Sequence, residues 1–189
     1  MSETATTTCC VLTVSDRCAA GEAEDTAGPA LANTAQKTLH ATIVDQQRVP
    51  DEPDRIQHVL KTWAQHDPQP DLVLTTGGTG LAPRDITPEV TASILERRHP
   101  GLLELARLRC YEKTPLTFLS RGEAGTIAKS LIINLPGSER GATEMLQSLS
   151  DVLPHAIATL RGDAADCGRA APSASAPADS ASDAGPDDA

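Results

Sequence analysis

The stretch that decides the fold is Asp71–Glu89, DLVLTTGGTGLAPRDITPE. Leu72 to Thr75 is a continuous apolar and β-branched run of strand length. It leads directly into Gly77-Gly78-Thr79-Gly80, then Arg84-Asp85, then a helix start at Thr87-Pro88. Glycine after a strand lets backbone N–H groups approach a ligand with no Cβ in the way. Successive amides in such a turn form a nest for an anion. The spacing is not that of the common nucleotide loops. A dinucleotide fingerprint needs Gly-x-Gly-x-x-Gly, and Pro83 stands where its third small residue belongs. The Gly-Lys-Ser/Thr ending of a P-loop is absent. From the residues alone, a phosphate site and a plain tight strand-to-helix turn both stay open.

Outward from this stretch, strands and helices alternate. Val11 to Val14 reads as a buried strand followed by a turn at Ser15-Asp16-Arg17. Asp25-Thr26 is a cap for a helix reaching Leu39, and Ala41 to Val49 is a second strand, ended by Pro50-Asp51-Glu52-Pro53. Ile56, Val59, Leu60 and Trp63 recur at helical spacing, with Asp54 as the expected cap. Helices are expected over Pro88 to Arg97 and Leu102 to Tyr111. Leu116 to Leu119 is a short apolar run, and Leu131-Ile132-Ile133 a buried strand. A last helical stretch covers Ala142 to Leu160, kinked or restarted at Pro154. Apolar strands alternating with helices predict an α/β fold with a mostly parallel central sheet covered on both faces, a three-layer α/β/α sandwich.

In open α/β sheets ligands sit outside the carboxyl ends of the strands. The post-strand residues are therefore the candidate site: Ser15 and Asp16; Asp51; Gly77, Gly78, Thr79 and Gly80 with Asp85; and Asn134-Leu135-Pro136-Gly137. Asp51 and Asp85 each follow a strand and can face one crevice. Two carboxylates beside a phosphate chain suit Mg²⁺. The alternatives are an Arg84 salt bridge or a turn bond for Asp85, and a helix-entry role for Asp51. Arg121, after Ser120, offers a planar fork for an anion, or is simply a solvated arginine. Asn134 is either a ligand-binding amide or an Asx turn.

Composition narrows the class. Net charge is −10, which argues against a duplex-DNA binder with a broad basic face, so no nucleic-acid partner is expected. No apolar run reaches transmembrane length, and MSETATTTCC lacks a basic-then-apolar signal pattern. No membrane association is expected. Five scattered cysteines without a C-x-x-C pair suit a reducing, cytoplasmic compartment rather than a zinc site. Cys9 and Cys10 read as small core residues. Residues 1–7 are expected to be a flexible N-terminus, 8–163 the folded domain, and 164–189 a disordered acidic tail rich in Ala, Ser, Pro and Asp.

Several motifs together carry a resemblance: TVSDR (Thr13 to Arg17), DTAGP (Asp25 to Pro29), VPDE (Val49 to Glu52), TTGGTGLAPRDITPE (Thr75 to Glu89), PGLLE (Pro100 to Glu104), LSRGEAG (Leu119 to Gly125), LIINLPGS (Leu131 to Ser138) and PHAIATLRGD (Pro154 to Asp163). In this order and spacing the chain resembles the molybdopterin-binding family, and within it the Mog-type molybdopterin adenylyltransferases. The resemblance implies the three-layer fold, often as a homotrimer. It also implies Mg-ATP-dependent adenylylation of molybdopterin with release of pyrophosphate, and hand-over to a downstream molybdenum insertase. By residue, it implies Asp51 and Asp85 as the catalytic and Mg²⁺-holding pair. Ser15, Asp16, Gly77, Gly78, Thr79 and Gly80 would bind nucleotide phosphates. Ser120, Arg121, Asn134, Pro136 and Gly137 would bind molybdopterin. A MoaB-type protein that binds molybdopterin without efficient transfer is the alternative. One departure stands out: an Arg usual in the family near Ile127 is missing, and Lys129 is the candidate to replace it.

Overall fold

The computed structural model describes residues 6–163. The first five residues and the expected tail at 164–189 lie outside the described residues. Six strands form one sheet: β1 (Thr8–Val14), β2 (Thr42–Val49), β3 (Leu72–Thr76), β4 (Arg97–Arg98), β5 (Ala124–Ile127) and β6 (Ser130–Leu135), in the order β2-β1-β3-β6-β5-β4. β2, β1, β3 and β6 are parallel, whereas β5 runs antiparallel to β6 and β4 antiparallel to β5. The strand order reverses between β1 and β3, which makes their carboxyl ends a topological switch point.

The helices are α1 (Asp16–Ala19), α2 (Ala27–Leu39), α3 (Pro53–Ala64), α4 (Thr87–Ile94), α5 (Pro100–Cys110), α6 (Glu139–Ser148) and α7 (Leu153–Arg161). They cover both faces. Leu31, Leu103, Met145, Leu146 and Ile157, from α2, α5, α6 and α7, pack with Val11, Leu74 and Ile133. Ile56, Leu60, Trp63 and Val90, from α3 and α4, pack with Leu12, Val73 and Ile132. The central strands point side chains into both layers, so they are largely apolar, and the buried polar side chains of Ser130 and Asn134 among them are hydrogen-bonded. That is why they read as continuous runs rather than alternating ones. Cys9 and Cys10 belong to these two cores, and burial pushes the Cys10 thiol up to about 12 and that of Cys9 further up.

Several local expectations are corrected. Helix α4 ends at Ile94 rather than Arg97, because Arg97 and Arg98 pair with Thr126 and Gly125 as a strand. Helix α3 starts at Pro53 with Glu52 in the capping position; Asp54 lies in the first turn, where its charge meets the helix dipole. The last helical stretch is two helices, Pro154 restarting it in the first turn of α7 as one of the two expectations had it. The apolar run before Ser120 is a short 3-10 helix, Pro115–Leu119. The N-terminus is tied down before Thr8: the Thr7 carbonyl accepts Thr42 N–H at 2.8 Å and the Thr6 carbonyl accepts Arg161 Nη2 at 3.0 Å.

Asp71, at the start of β3, locks the end of the sheet away from the glycines. It accepts Thr8 N–H and Thr8 Oγ1, each at 2.7 Å, and both Nε and Nη2 of Arg161, each at 2.6 Å. Burial raises its pKa, but the Arg161 and Thr8 hydrogen bonds outweigh this and hold it below the usual carboxylate range. The contribution is therefore full above the unfolded-state value of about 3.9 and is lost as pH falls through the lower folded value. Asp71→Asn is expected to cost about 2 kcal/mol near neutral pH, a figure discounted for partial exposure. Urea titrations at pH 7 and at about pH 3 check it. The gap between wild type and variant should shrink at the lower pH.

Candidate active site

Four strand ends meet at the other edge. After β1, Ser15 caps α1, its Oγ accepting Cys18 N–H at 3.3 Å. After β2 comes Asp51. Asp16 and Asp51 hold each other: Asp16 N–H donates to Asp51 Oδ2 at 2.9 Å, and Asp51 N–H donates to Asp16 Oδ1 at 3.0 Å. Arg84 reaches across from the segment after β3. It donates through Nε and Nη2 to the two Asp16 oxygens at 2.6 and 2.8 Å, and through Nη2 to the Asp51 carbonyl at 3.1 Å. Arg84 thus pairs with Asp16, not with its neighbour Asp85. The Arg84 hydrogen bond holds the Asp16 carboxyl below the usual range. Asp51 is pushed upward, first by burial and also by the charges of Asp16 and Asp85, against the opposing pull of the Asp16 N–H and Arg84. A cation beside Asp51 relieves that cost.

The glycine loop fits only glycine at two places. Gly77 has φ 102° and Gly78 φ 60°, both in the left-handed region. A Cβ on Gly77 would strike the Val14 carbonyl oxygen. One on Gly78 would strike Thr87 Oγ1 and lie 2.9 Å from Asp51 Oδ1. Asp51 therefore lies against the loop at Gly78. Asp85 closes the loop's other end, with its Oδ2 accepting Ala82 N–H at 2.8 Å and lying 2.8 Å from the Cβ position of Gly80. The two carboxylates flank one loop, but only Asp85 lines the cleft beside it, so they do not both face that crevice as expected.

On the Asp85 side the loop borders a cleft of about 470 Å³. Gly78, Thr79, Gly80 and Asp85 form one wall, Ser120 with Pro136 and Gly137 another, and Leu116, Leu119 and Met145 an apolar wall. Ser15, Asp16 and Asp51 are not in its lining, although Asp51 Oδ1 lies 2.9 Å from the Cβ position of Gly78, which does line it. The candidate residues thus divide into those that line the cleft and those that do not, with Gly78 in contact with both groups.

Two candidates have structural duties instead. Arg121 was expected to clamp an anion. Its Nε donates to the Gly80 carbonyl at 2.7 Å, its Nη2 to the Asp85 carbonyl at 2.6 Å, and its Nη1 pairs with Glu89. It is a strut holding the loop's far half. Asn134 is fully buried: Nδ2 donates to Thr75 Oγ1 at 2.9 Å and Thr91 Oγ1 at 3.0 Å, and Oδ1 accepts Glu123 N–H at 3.1 Å. With both ends of its amide occupied inside the sheet, it is neither a ligand contact nor an Asx turn. Lys129 does not replace the missing arginine at the cleft. It lies in the β5–β6 turn, at the end of β6 opposite Pro136-Gly137.

Other contributors were not visible in the sequence. Arg107 of α5 donates to the Ser120 carbonyl at 3.0 Å and the Gly122 carbonyl at 3.2 Å, fixing the Ser120 segment; burial lowers its pKa. Arg140 and Glu144 of α6 line the cleft. No spacing signal marks any of the three.

For a metal, the donor set is two carboxylates beside a loop of glycines. Among the described residues no three His, Cys, Asp or Glu side chains gather to cage an ion alone. Mg²⁺ is commonly held by one or two carboxylates plus substrate phosphates, and Asp51 and Asp85 fit that use.

A three-layer sheet with this post-strand loop defines a class, and comparison with known proteins agrees. Residues 10–155 match the family described as "Probable molybdopterin binding domain", and the chain belongs to it. It is 42% identical over 153 residues to the molybdenum cofactor synthesis protein cinnamon of Drosophila melanogaster, covering 81% of this chain but only 25% of that longer protein. It is 38% identical over 154 residues to a Helicobacter pylori molybdopterin adenylyltransferase, covering 81% of this chain and 87% of the relative. The fold superposes on the molybdopterin biosynthesis enzyme MoaB of Thermus thermophilus with a TM-score of 0.77 at 46% identity, covering 82% of this chain and 97% of that one.

Arg121→Gln is expected to leave the sheet intact and to cost about 1–3 kcal/mol through lost charge-assisted bonds. Amide hydrogen exchange at Gly80 to Asp85 should rise, while that of β3 stays slow. Unchanged exchange across the loop would mean Arg121 is not its strut.

Proposed function

We propose that the chain is a molybdopterin adenylyltransferase that uses Mg-ATP and acts in molybdenum cofactor biosynthesis. The observation that carries this reading is the pair Asp51 and Asp85 flanking one glycine loop that borders a cleft. The Asp16–Asp51 flank, with loop amides, suits the nucleotide phosphates. The larger cleft, with one apolar wall, suits the pterin. In the reaction a molybdopterin phosphate oxygen attacks the α-phosphorus of ATP. The bond from that phosphorus to the bridging oxygen of the β-phosphate breaks, and pyrophosphate leaves. Mg²⁺, when bound with the nucleotide, neutralises charge on the phosphate oxygens during transfer.

The chain's own residues supply positioning. Asp51 and Asp85 would hold the cation at the loop's two ends. Loop amides from Gly77 to Gly80 would orient phosphate oxygens. Arg84 keeps Asp16 and Asp51 in register, and Arg121 keeps Asp85 in place. Because the protein's task is to place groups and stabilise charge, no protein nucleophile is required. The family arginine missing near Ile127 lies at the far end of β6, so it no longer favours a binding-only role.

The reading extends to a cytoplasmic location, supported by free cysteines, and to a homotrimer that passes its product to a molybdenum insertase. Exposed Leu108, Tyr111 and Phe118 support an assembly surface. No helix among the described residues is long and apolar enough to cross a membrane.

Purified protein given Mg-ATP should release pyrophosphate only when molybdopterin is added, and EDTA should abolish release. Asp51→Asn and Asp85→Asn should each lower turnover by about a hundredfold or more, the scale of removing one preorganised electrostatic group. Tight molybdopterin binding with no release would move the function to the MoaB-type alternative.

A further inference from the structure

We propose that Arg140 receives the anionic group of the substrate in the larger cleft, and that Glu144 holds the guanidinium in reserve until that anion arrives. The inference rests on this cleft being the molybdopterin half of the site. Among the cleft-lining side chains, Arg140 is the one cation, alongside the carboxylates Asp85 and Glu144. The arginine that sequence reasoning offered for this task, Arg121, is engaged by Gly80, Asp85 and Glu89. Arg107 is turned to the carbonyls of Ser120 and Gly122. An anion entering the cleft finds no other charged donor in its wall.

Arg140 is exposed and lightly held. It sits on the first turn of α6 with its side chain 77% exposed, and its Nε donates to Glu144 Oε1 at 3.0 Å across one helical turn. Among the described residues neither Nη atom has a hydrogen-bond partner, so the bidentate edge of the fork is unused. Glu144 is the fixed member of the pair, its side chain only 18% exposed. A single bond at this spacing from an exposed arginine is weak and readily exchanged. A phosphate offers the guanidinium two parallel charge-assisted bonds, a better partner than the single bond it leaves. Glu144 thus serves as the resting counter-ion. In an otherwise acidic cleft it also excludes anions too weakly charged to displace it.

The test is titration calorimetry with molybdopterin in the absence of ATP, with inorganic phosphate as a second probe. Arg140→Gln should weaken molybdopterin binding at least tenfold and flatten its salt dependence, with Arg140→Lys recovering part of the loss. Glu144→Gln should tighten binding severalfold. ATP affinity should be the same in all three variants. Unchanged molybdopterin affinity in Arg140→Gln, or an equal loss of ATP affinity, overturns the assignment. If the wild type binds no molybdopterin, the substrate reading falls by itself. Phosphate still decides the role of Arg140: equal phosphate affinity in wild type and Arg140→Gln overturns it, and a loss in the variant upholds it.

Discussion

The close approach of three strand ends governs this molecule. β1, β3 and β6 finish so near one another that the turn after β3 touches backbone on both sides. The Cβ position of Gly77 falls on the Val14 carbonyl oxygen, and that of Gly137 lies 3.1 Å from the Gly77 Cα. At Gly77 no side chain larger than hydrogen fits, and at Gly137 a Cβ would be tight. The sheet therefore delivers main-chain groups, rather than side chains, to the switch point. Thr76 Oγ1, donating to the Pro136 carbonyl at 2.7 Å, and Gly77 N–H, donating to the Leu135 carbonyl at 3.3 Å, stitch β3 to β6 there.

A loop of glycines is entropically loose, and this one is made firm by side chains from distant segments. Arg121 grips the carbonyls of Gly80 and Asp85, and its own N–H donates to the Thr79 carbonyl at 2.8 Å. Ser120 Oγ donates to Thr79 Oγ1 at 3.1 Å. On the other flank, the mutual bonds of Asp16 and Asp51 fix the ends of β1 and β2 to each other, and Arg84 fastens the loop to both. Arg84 and Arg121 are thus consumed in shaping the loop. Positioning precedes charge in this design, as group transfer without a covalent intermediate requires.

The sequence made the sheet's centre legible and its edge illegible, for a physical reason. Leu72 to Thr75 and Leu131 to Ile133 are buried on both faces, so burial alone fixes their composition. β5, Ala-Gly-Thr-Ile, and β4, Arg-Arg, have no strand signature of their own. They are strands because β6 offers β5 an unpaired edge, and β5 in turn offers one to β4. The same limit applies at the site. Post-strand position pointed to Asp51, Asp85 and the glycines. It could not distinguish a ligand contact from a strut. Asn134 before Leu-Pro-Gly reads as a turn, but its amide is spent on Thr91, 43 residues away. Arg84 sits next to Asp85 in the chain yet pairs with Asp16, 68 residues away. Short-range order determines which residues arrive at the strand ends, and long-range pairing determines what each is left free to do.

That division explains how a chain of net charge −10 can accommodate phosphates. Attraction from the whole protein is unfavourable to an anion. Locally, Asp16 is neutralised by Arg84, and Asp51 and Asp85 lie one at each end of the glycine loop. Partial burial and the nearby carboxylate charges push Asp51 upward, and a positive charge beside it would act the other way. A phosphate chain that arrives with its own divalent ion supplies that charge and meets the loop amides at once. A bare anion meets two carboxylates first. On the proposed reading, the acidic flank takes a metal-complexed polyphosphate, and recognition of a metal-free anion is left to Arg140, the cation that lines the cleft.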